Sequence, residues 1–299
     1  MMRVAVTGAS GLIGSALVPA LRARGDDVVR LVRRAPSAPD EIRWDPRAGT
    51  VDLAALAGVD GVVHLAGAGV GDKRWTEAYK AEIRDSRVQG TTTIAKAMAS
   101  LDPRPRVLVC GSAIGYYGDT GDRKVTEESP KGAGFLADVV ADWEASAEPA
   151  AQAGIRVAYA RTGLVVSSRG GAWKRLMPIF KLGLGGKVGS GRQYWSFISL
   201  RDEVSALISL LDDERYRGPV NLTAPTPVTN AEVTAAMGRV LGRPTVLPVP
   251  AFAIKAALGE FSQDALGSQR VMPTVLERDG FVWSDPTIDS AIQQAASGS

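Results

Sequence analysis

The run Val4-Ala5-Val6-Thr7-Gly8-Ala9-Ser10-Gly11-Leu12-Ile13-Gly14 constrains this chain more than any other. A short apolar strand empties into three glycines spaced three apart. A helical apolar face follows at Ile13, Leu17 and Leu21, and Gly25 stops it. Each glycine has its own task. Gly8 lets the chain leave the strand in a tight turn, Gly11 carries no Cβ to hold a phosphate away from the main chain, and Gly14 lets the helix pack closely on the sheet. The free N–H groups and the positive dipole end of that helix then face an anion. A glycine triplet alone says little. One that follows a strand and opens a helix predicts a dinucleotide pyrophosphate site built from Gly8, Ser10, Gly11, Leu12 and Ile13.

The first half continues in the same alternation. Strands are expected at 28–32, 42–45, 61–66, 106–110 and 155–161, with a long helix over 77–100. This is the pattern of an α/β, doubly wound (Rossmann) parallel sheet covered on both faces. Pro19 should kink the first helix or cost its bond to Ser15. After residue 165 the texture changes: Gly170-Gly171 and the glycine run 183–191 read as loops. Helical periodicity returns over 201–213, with Val204, Leu207, Ile208 and Leu211 on one face. Thr229 and Glu232 form a capping-box pair before Val233, Met237 and Leu241, and Gly242 ends that helix. A shorter helix is expected over 251–258. A last one should open at Asp285-Pro286, with Pro286 at its first position, and fray after Ala295. The expected division is a dinucleotide-binding domain over 1–225, with 166–195 supplying loops to a substrate cleft, and a small, mainly helical C-terminal lobe over 226–299.

The chain has 299 residues, 45% hydrophobic and 22% charged, enough for a sizeable core. Its one cysteine, Cys110, rules out an intrachain disulfide. With no signal segment in view, this fits a cytoplasmic protein. No apolar stretch approaches the ~20 residues of a membrane span. The net charge of +3 comes from basic residues scattered among acidic ones, which argues against a nucleic-acid partner. A lone histidine, His64, excludes a histidine metal cluster, and no metal is expected. A Ser-His-Asp triad survives only if His64 supplies the base. A small-molecule substrate is expected, and a homodimer is compatible with the composition.

The end of the second strand chooses between cofactors. NAD sites place Asp or Glu there for the ribose 2′-OH, whereas NADP sites prefer Arg beside the 2′-phosphate. The chain reads Leu31-Val32-Arg33-Arg34. Arg33, with Arg34 as helper, can clamp a phosphate that a carboxylate would repel, so NADP(H) is the expected cofactor.

Further motifs carry a family resemblance: His64-Leu65-Ala66-Gly67, Arg74-Trp75, Asp85-Ser86-Arg87, Ser112-Ala113-Ile114-Gly115-Tyr116-Tyr117-Gly118, Trp143-Glu144, Arg161-Thr162-Gly163, Gly189-Ser190-Gly191-Arg192-Gln193 and Asn221-Leu222-Thr223-Ala224-Pro225. Together they resemble the extended short-chain dehydrogenase/reductases. The match is best to an atypical subgroup of NAD(P)-dependent epimerases of unknown substrate. The stretch from Val249 through Phe281 looks like the small domain of unknown function that ends those proteins. The resemblance implies that Leu65 and Ala66, with Gly67 after them, pass beneath the cofactor ribose. It also implies that Glu82 and Arg87 face the cofactor and that Arg161 sits nearby. Glu82 and Arg87 could equally form a surface ion pair on their helix. Ligands of open parallel sheets bind at strand C-termini, which makes Leu65, Ser112 and Arg161 plausible on physical grounds as well.

The resemblance also implies a Ser or Thr after the fifth strand and a Tyr-x-x-x-Lys on the next helix. The second is missing: residues 134–143 read Gly-Phe-Leu-Ala-Asp-Val-Val-Ala-Asp-Trp. Ser112 fits the first role, a hydroxyl able to orient a substrate oxygen. If Tyr117 matches the family's loop tyrosine, however, Ala113 falls in the serine position. Tyr116 leads Tyr117 as proton donor, Glu82 is an alternative acid, and a protein that binds cofactor without turning it over is the third reading. The glycines over 183–191 could cradle an anionic group with Arg192, and Trp195 offers a stacking face. Asp202 reads as a helix cap. The leading expectation is an NADP(H)-dependent oxidoreductase or epimerase acting on a small carbonyl or nucleotide-sugar-like compound. The rival is a catalytically degenerate dinucleotide-binding sensor or scaffold.

Overall fold

The structure is a computed structural model and describes residues 1–297. Eight strands form the main sheet: β1 (Arg3–Thr7), β2 (Asp27–Val32), β3 (Glu41–Asp45), β4 (Thr50–Val51), β5 (Gly61–His64), β6 (Val107–Ala113), β8 (Arg156–Thr162) and β12 (Gly218–Leu222). The short strands β7 (Lys124–Val125), β9 (Leu164–Val166), β10 (Tyr194–Trp195), β11 (Phe197–Ser199), β13 (Val228–Thr229) and β14 (Arg270–Val271) pair outside it. The helices are α1 (Gly14–Ala23), α2 (Leu53–Leu56), α3 (Glu77–Ser100), α4 (Phe135–Ala145), α5 (Glu148–Gln152), α6 (Gly171–Lys181), α7 (Leu200–Asp212), α8 (Asn230–Leu241), α9 (Ala251–Leu258), α10 (Ser262–Leu266), α11 (Thr274–Arg278) and α12 (Ile288–Ser297).

The sheet order is β12-β8-β6-β5-β1-β2-β3-β4, with every pair parallel except β3–β4. Alternate residues of each strand feed opposite cores. Val4 and Val6 join the layer of α1 and α7, while Ala5 joins the layer of α2, α3, α4 and α5. Burial on both faces explains why these strands read as continuous apolar runs. The chain winds one way from β1 to β3, then crosses back to β5 and winds the other way. The reversal falls between β1 and β5, which opens a crevice at their C-terminal ends.

Local chemistry sets the helix boundaries. Thr76, Ser199 and Thr229 accept from the amides of Tyr79, Asp202 and Glu232, and the third is a full capping box. Gly242 closes α8 in the left-handed conformation at φ +62°. Helix α1 runs through Pro19. At the foot of the sheet, Arg156 donates to the carbonyls of Leu210, Leu211 and Tyr216, so a cation caps the negative end of α7.

Three sequence expectations need correction. The stretch 166–195 is not all loop: α6 lies inside it. Trp173, Met177 and Phe180 give that helix a buried stripe at helical spacing. The flanking glycines and Pro178 obscured the pattern. The last helix starts at Ile288, with Thr287 accepting from the amide of Ser290, so Pro286 lies before it. Residues 296 and 297 are helical rather than frayed, and 298–299 lie outside the described residues. A third core unites α6, α8 and α12 with Val166, Phe197 and Ala224, so the helical lobe draws on both sides of residue 225. Asp202 fastens this lobe: Ser199 caps the helix, and the Asp202 carboxylate accepts from the amides of Ser284 and Asp285 at 2.8 and 2.9 Å.

Candidate functional site

The phosphate turn lies at the crevice between β1 and β5. Gly8 adopts φ +68°, and a Cβ there would stand 2.8 Å from the Leu65 carbonyl carbon. A Cβ on Gly14 would stand 2.3 Å from Gly8 O, so the helix meets the turn with no room for a side chain. Gly11 differs: apart from Gly8 O at 3.2 Å, its outer side is open. Among the described residues no acceptor meets the amides of Ser10, Leu12 and Ile13. A narrow cradle of unpaired donors at a helix start fits a diphosphate.

The floor is tied from beneath. The Thr7 hydroxyl oxygen accepts from the amides of Leu65 and Ala66 at 3.1 and 3.2 Å and pairs with His64 Nδ1 at 2.7 Å. An oxygen already accepting twice donates its own hydrogen, which assigns the imidazole proton to Nε2. That nitrogen is buried against Gly90 and meets no acceptor. Burial pushes His64 down to about 4, so the ring is neutral at pH 7. His64 is a fully buried brace and takes no part as a catalytic base. Cys110 is equally remote from chemistry, its thiol pushed up to about 12 by burial.

The rim separates the two arginines. Arg33 is exposed and has no carboxylate partner among the described residues, whereas Arg34 is held by Glu41 at 2.5 and 2.8 Å. Glu41 is also bonded by the Ser37 amide and hydroxyl, so Arg34 braces the loop after β2 and Arg33 remains free. Glu82 and Arg87 do not pair with each other. Glu82 is exposed and meets Lys73 at 3.3 Å. Arg87 turns inward beneath Gly67, donates to the carbonyls of Ala68 and Ile83 at 2.8 and 3.0 Å, and lies 4.9 Å from the Trp143 ring centre. Burial lowers its pKa to about 10, which leaves it charged, and no carboxylate neutralises it among the described residues.

A polar network closes the far end of the crevice, at the tips of β6 and β8. The Ser112 hydroxyl donates to Glu144 Oε1 at 2.6 Å. Arg161 grips the same carboxylate with Nε and Nη2, both at 2.8 Å, and donates from Nη1 to the Tyr117 hydroxyl at 2.9 Å. Tyr117 donates to Asn221 Oδ1 at 2.7 Å; its phenol is pushed up to about 12 by burial, against the pull of Arg161. Asn221 continues to Glu127 and Met272, and Glu127 accepts from Thr274 and the Val275 amide. The network thus runs from the central sheet into the C-terminal segment. Tyr116 stands outside it. Its ring lies on the Arg161 guanidinium at 3.6 Å, it is half-buried, and its hydroxyl has no partner among the described residues. On α4, Leu136 and Val140 face Gly115 in an i, i+4 pair, where a Tyr-x-x-x-Lys would need its polar groups.

The glycine run past α6 commits part of its backbone to its neighbours. The amides of Gly189 and Gly191 donate to Val249 O and Val188 O. Gly186 is there for close approach: a Cβ would stand 1.9 Å from Leu247 O. Arg192 is exposed, and its side chain meets no partner among the described residues. Trp195 is half-buried and packs on the core of α6, α8 and α12. Periodicity did not flag Glu144, Tyr117, Asn221 or Glu127 as one unit. The Trp143-Glu144 pair was visible only as a motif.

A diphosphate cradle at the reversal point of a doubly wound sheet, with a free arginine at the tip of the second strand, defines a nicotinamide-dinucleotide-binding protein of the extended short-chain dehydrogenase/reductase kind. The comparisons are more specific. The chain belongs to the NAD dependent epimerase/dehydratase family, whose model matches residues 4–222, and a domain of unknown function (DUF1731) matches residues 249–295. An epimerase family protein of Mycobacterium bovis is 49% identical, over 98% of this chain and 97% of that protein. The crystal structure of human epimerase family protein SDR39U1 with NADPH superposes with a TM-score of 0.92 at 32% identity, covering 99% of each chain. A nucleoside-diphosphate sugar epimerase from Corynebacterium glutamicum superposes at 0.80 with 36% identity, over 97% of this chain and 57% of that one.

Proposed function

We propose that this protein is an NADP(H)-dependent oxidoreductase or epimerase acting on a small carbonyl or nucleotide-sugar-like compound. The observation that carries the cofactor choice is Arg33: a cation at the tip of β2, free of any acid, beside an Arg34 already held by Glu41. The NADPH bound to the human relative supports it. A bound nicotinamide dinucleotide would supply hydride exchange. The turn residues Gly8, Ser10, Gly11, Leu12 and Ile13 would hold its diphosphate, Leu65 to Gly67 would floor the crevice, and Arg87 beneath Gly67 would keep that floor positive.

Of the groups at the far end, Tyr116 is the one with an uncommitted hydroxyl, and we assign it the proton. Ser112 already donates to Glu144, so its oxygen can only accept from a ligand, and its part is to hold Glu144. Arg161 is sealed by Glu144 and two tyrosine rings. It positions Tyr116 and leaves no bare cation for an anionic group there. A small, soluble substrate and no nucleic-acid or membrane partner complete the proposal. It includes a cytoplasmic setting that suits the single buried thiol, and no described helix is long and apolar enough to cross a membrane.

Calorimetric titration with NADPH and NADH tests the cofactor, with at least a tenfold preference for NADPH expected and equal affinities contradicting it. Absorbance loss of NADPH over a panel of ketones, aldehydes and nucleotide sugars tests the chemistry. Activity that survives Tyr116→Phe would remove Tyr116 as donor. A second reading, a sensor that binds without turnover, is favoured by Leu136 and Val140 on α4. Tight NADPH binding with no oxidation across the panel would select it.

A further inference from the structure

Residues 167–171 lead from β9 into α6, and their course brings them over the phosphate turn. Gly170 lies so near it that a Cβ would stand 3.1 Å from Leu12 Cδ1. The neighbouring Arg169 is exposed. Its amide is fixed on Ser167 Oγ at 3.1 Å, and its Nη2 lies 3.4 Å from Ser15 Oγ. Ser15 sits in the first turn of α1, its hydroxyl donating to Leu12 O at 3.1 Å. Arg169 therefore stands at the mouth of the helix whose entry amides have no acceptor. It has no carboxylate partner among the described residues, and the sequence carries no Asp or Glu between Glu148 and Asp202.

We propose that Arg169 is a cofactor-binding residue, a guanidinium delivered from the segment that enters the helical lobe to the diphosphate on the β1–α1 turn. The assignment rests on the dinucleotide reading above. Backbone amides offer only partial positive charge, and a diphosphate carries two full negative charges, so a guanidinium able to bond a phosphate oxygen in fork geometry complements them. The arrangement gives Arg33 and Arg169 separate targets. Arg33 addresses the 2′-phosphate and Arg169 the diphosphate. Because Arg169 belongs to the chain leading into α6, a filled phosphate site would also hold that segment down.

Three probes separate the targets. NADPH contains both phosphate groups, ADP-ribose only the diphosphate and 2′-AMP only the 2′-phosphate. In calorimetric titrations, Arg169→Ala should weaken NADPH and ADP-ribose by the same factor, about tenfold, as expected for losing a hydrogen bond to a charged group. It should leave 2′-AMP unchanged. Arg169→Lys should recover part of the loss, Arg169→Glu should deepen it, and added salt should narrow the gap between Arg and Ala. The side chain is exposed, so the melting temperature without ligand should not move. If wild type binds NADPH and Arg169→Ala binds it equally well, this assignment is overturned alone. An equal loss for 2′-AMP overturns it too, since the effect is then not at the diphosphate. Wild type that binds neither NADPH nor ADP-ribose overturns the dinucleotide reading as a whole.

Discussion

Glu144→Ala is the substitution that asks most of the polar network. The carboxylate accepts three hydrogen bonds, from Ser112 Oγ at 2.6 Å and from Arg161 Nε and Nη2 at 2.8 Å each. The side chains of Glu144 and Arg161 are 12% and 4% exposed, so the guanidinium has little access to solvent of its own. Arg161 would remain as a buried cation with only the Tyr117 hydroxyl and two ring faces. Removing one member of a buried pair costs about 3–5 kcal/mol. The slight exposure of Glu144 places this case near about 3 kcal/mol, or a fall of about 5 °C in melting temperature for a chain of this length. Urea unfolding followed by far-ultraviolet circular dichroism measures it. A double variant, Glu144→Leu with Arg161→Met, should recover most of the loss, because apolar residues of similar volume leave no charge stranded. The coupling between the two sites should then be about 2–3 kcal/mol. A loss below about 1 kcal/mol for Glu144→Ala, or a double variant as unstable as the sum of the singles, would refute the view that this pair is energetically closed.

Three further outcomes follow from burial and close approach. Burial raises Glu203 from 4.5 to about 8, so its contribution to stability is complete below pH 4.5 and is lost as pH rises toward 8. Glu203→Gln keeps an acceptor for Thr162 and cannot ionise. Its stability gain over wild type should grow to about 3 kcal/mol or more at pH 8, and a pH-independent difference would contradict this. For His64 the sign is opposite. Its pKa is lowered from 6.5 to about 4, so the unfolded chain takes the proton first, and about 3 kcal/mol is lost as pH falls through that window. As the single histidine, its ring proton resonances are readily assigned, and a midpoint near 6.5 would show that the ring reaches water. Gly14→Ala would place a Cβ 2.3 Å from Gly8 O; displacement of the turn should cost about 1–3 kcal/mol and weaken NADPH binding, and normal affinity would show that the turn yields without harm.

The elements that were legible in the sequence are those whose signals are local. The Gly8, Gly11 and Gly14 spacing, the apolar strands and the caps at Thr229 and Gly242 each act within a few residues, and the structure places them where the periodicity did. Helix α6 was missed although Trp173, Met177 and Phe180 were in register, because Gly170, Gly171 and Pro178 are also the marks of a loop. The glycine run over 183–191 is ambiguous for a related reason. Glycine permits both an open amide cradle and a close backbone contact, and sequence does not say which neighbour arrives. Here it is Leu247 and Val249.

Sequence alone determined that a phosphate-binding turn follows the first strand of a doubly wound sheet, that its second strand ends in arginine, and that residues 134–143 hold neither the tyrosine nor the lysine of a Tyr-x-x-x-Lys. Only the tertiary structure decided how the remaining polar groups are committed. Ser112, Glu144, Arg161, Tyr117 and Asn221 lie far apart in the chain and meet through the side-by-side order of β6, β8 and β12. A hydrogen bond is a property of two atoms within about 3 Å of each other. Which arginine is free and which is held, and which of two adjacent tyrosines is open, therefore depend on the distances that folding creates.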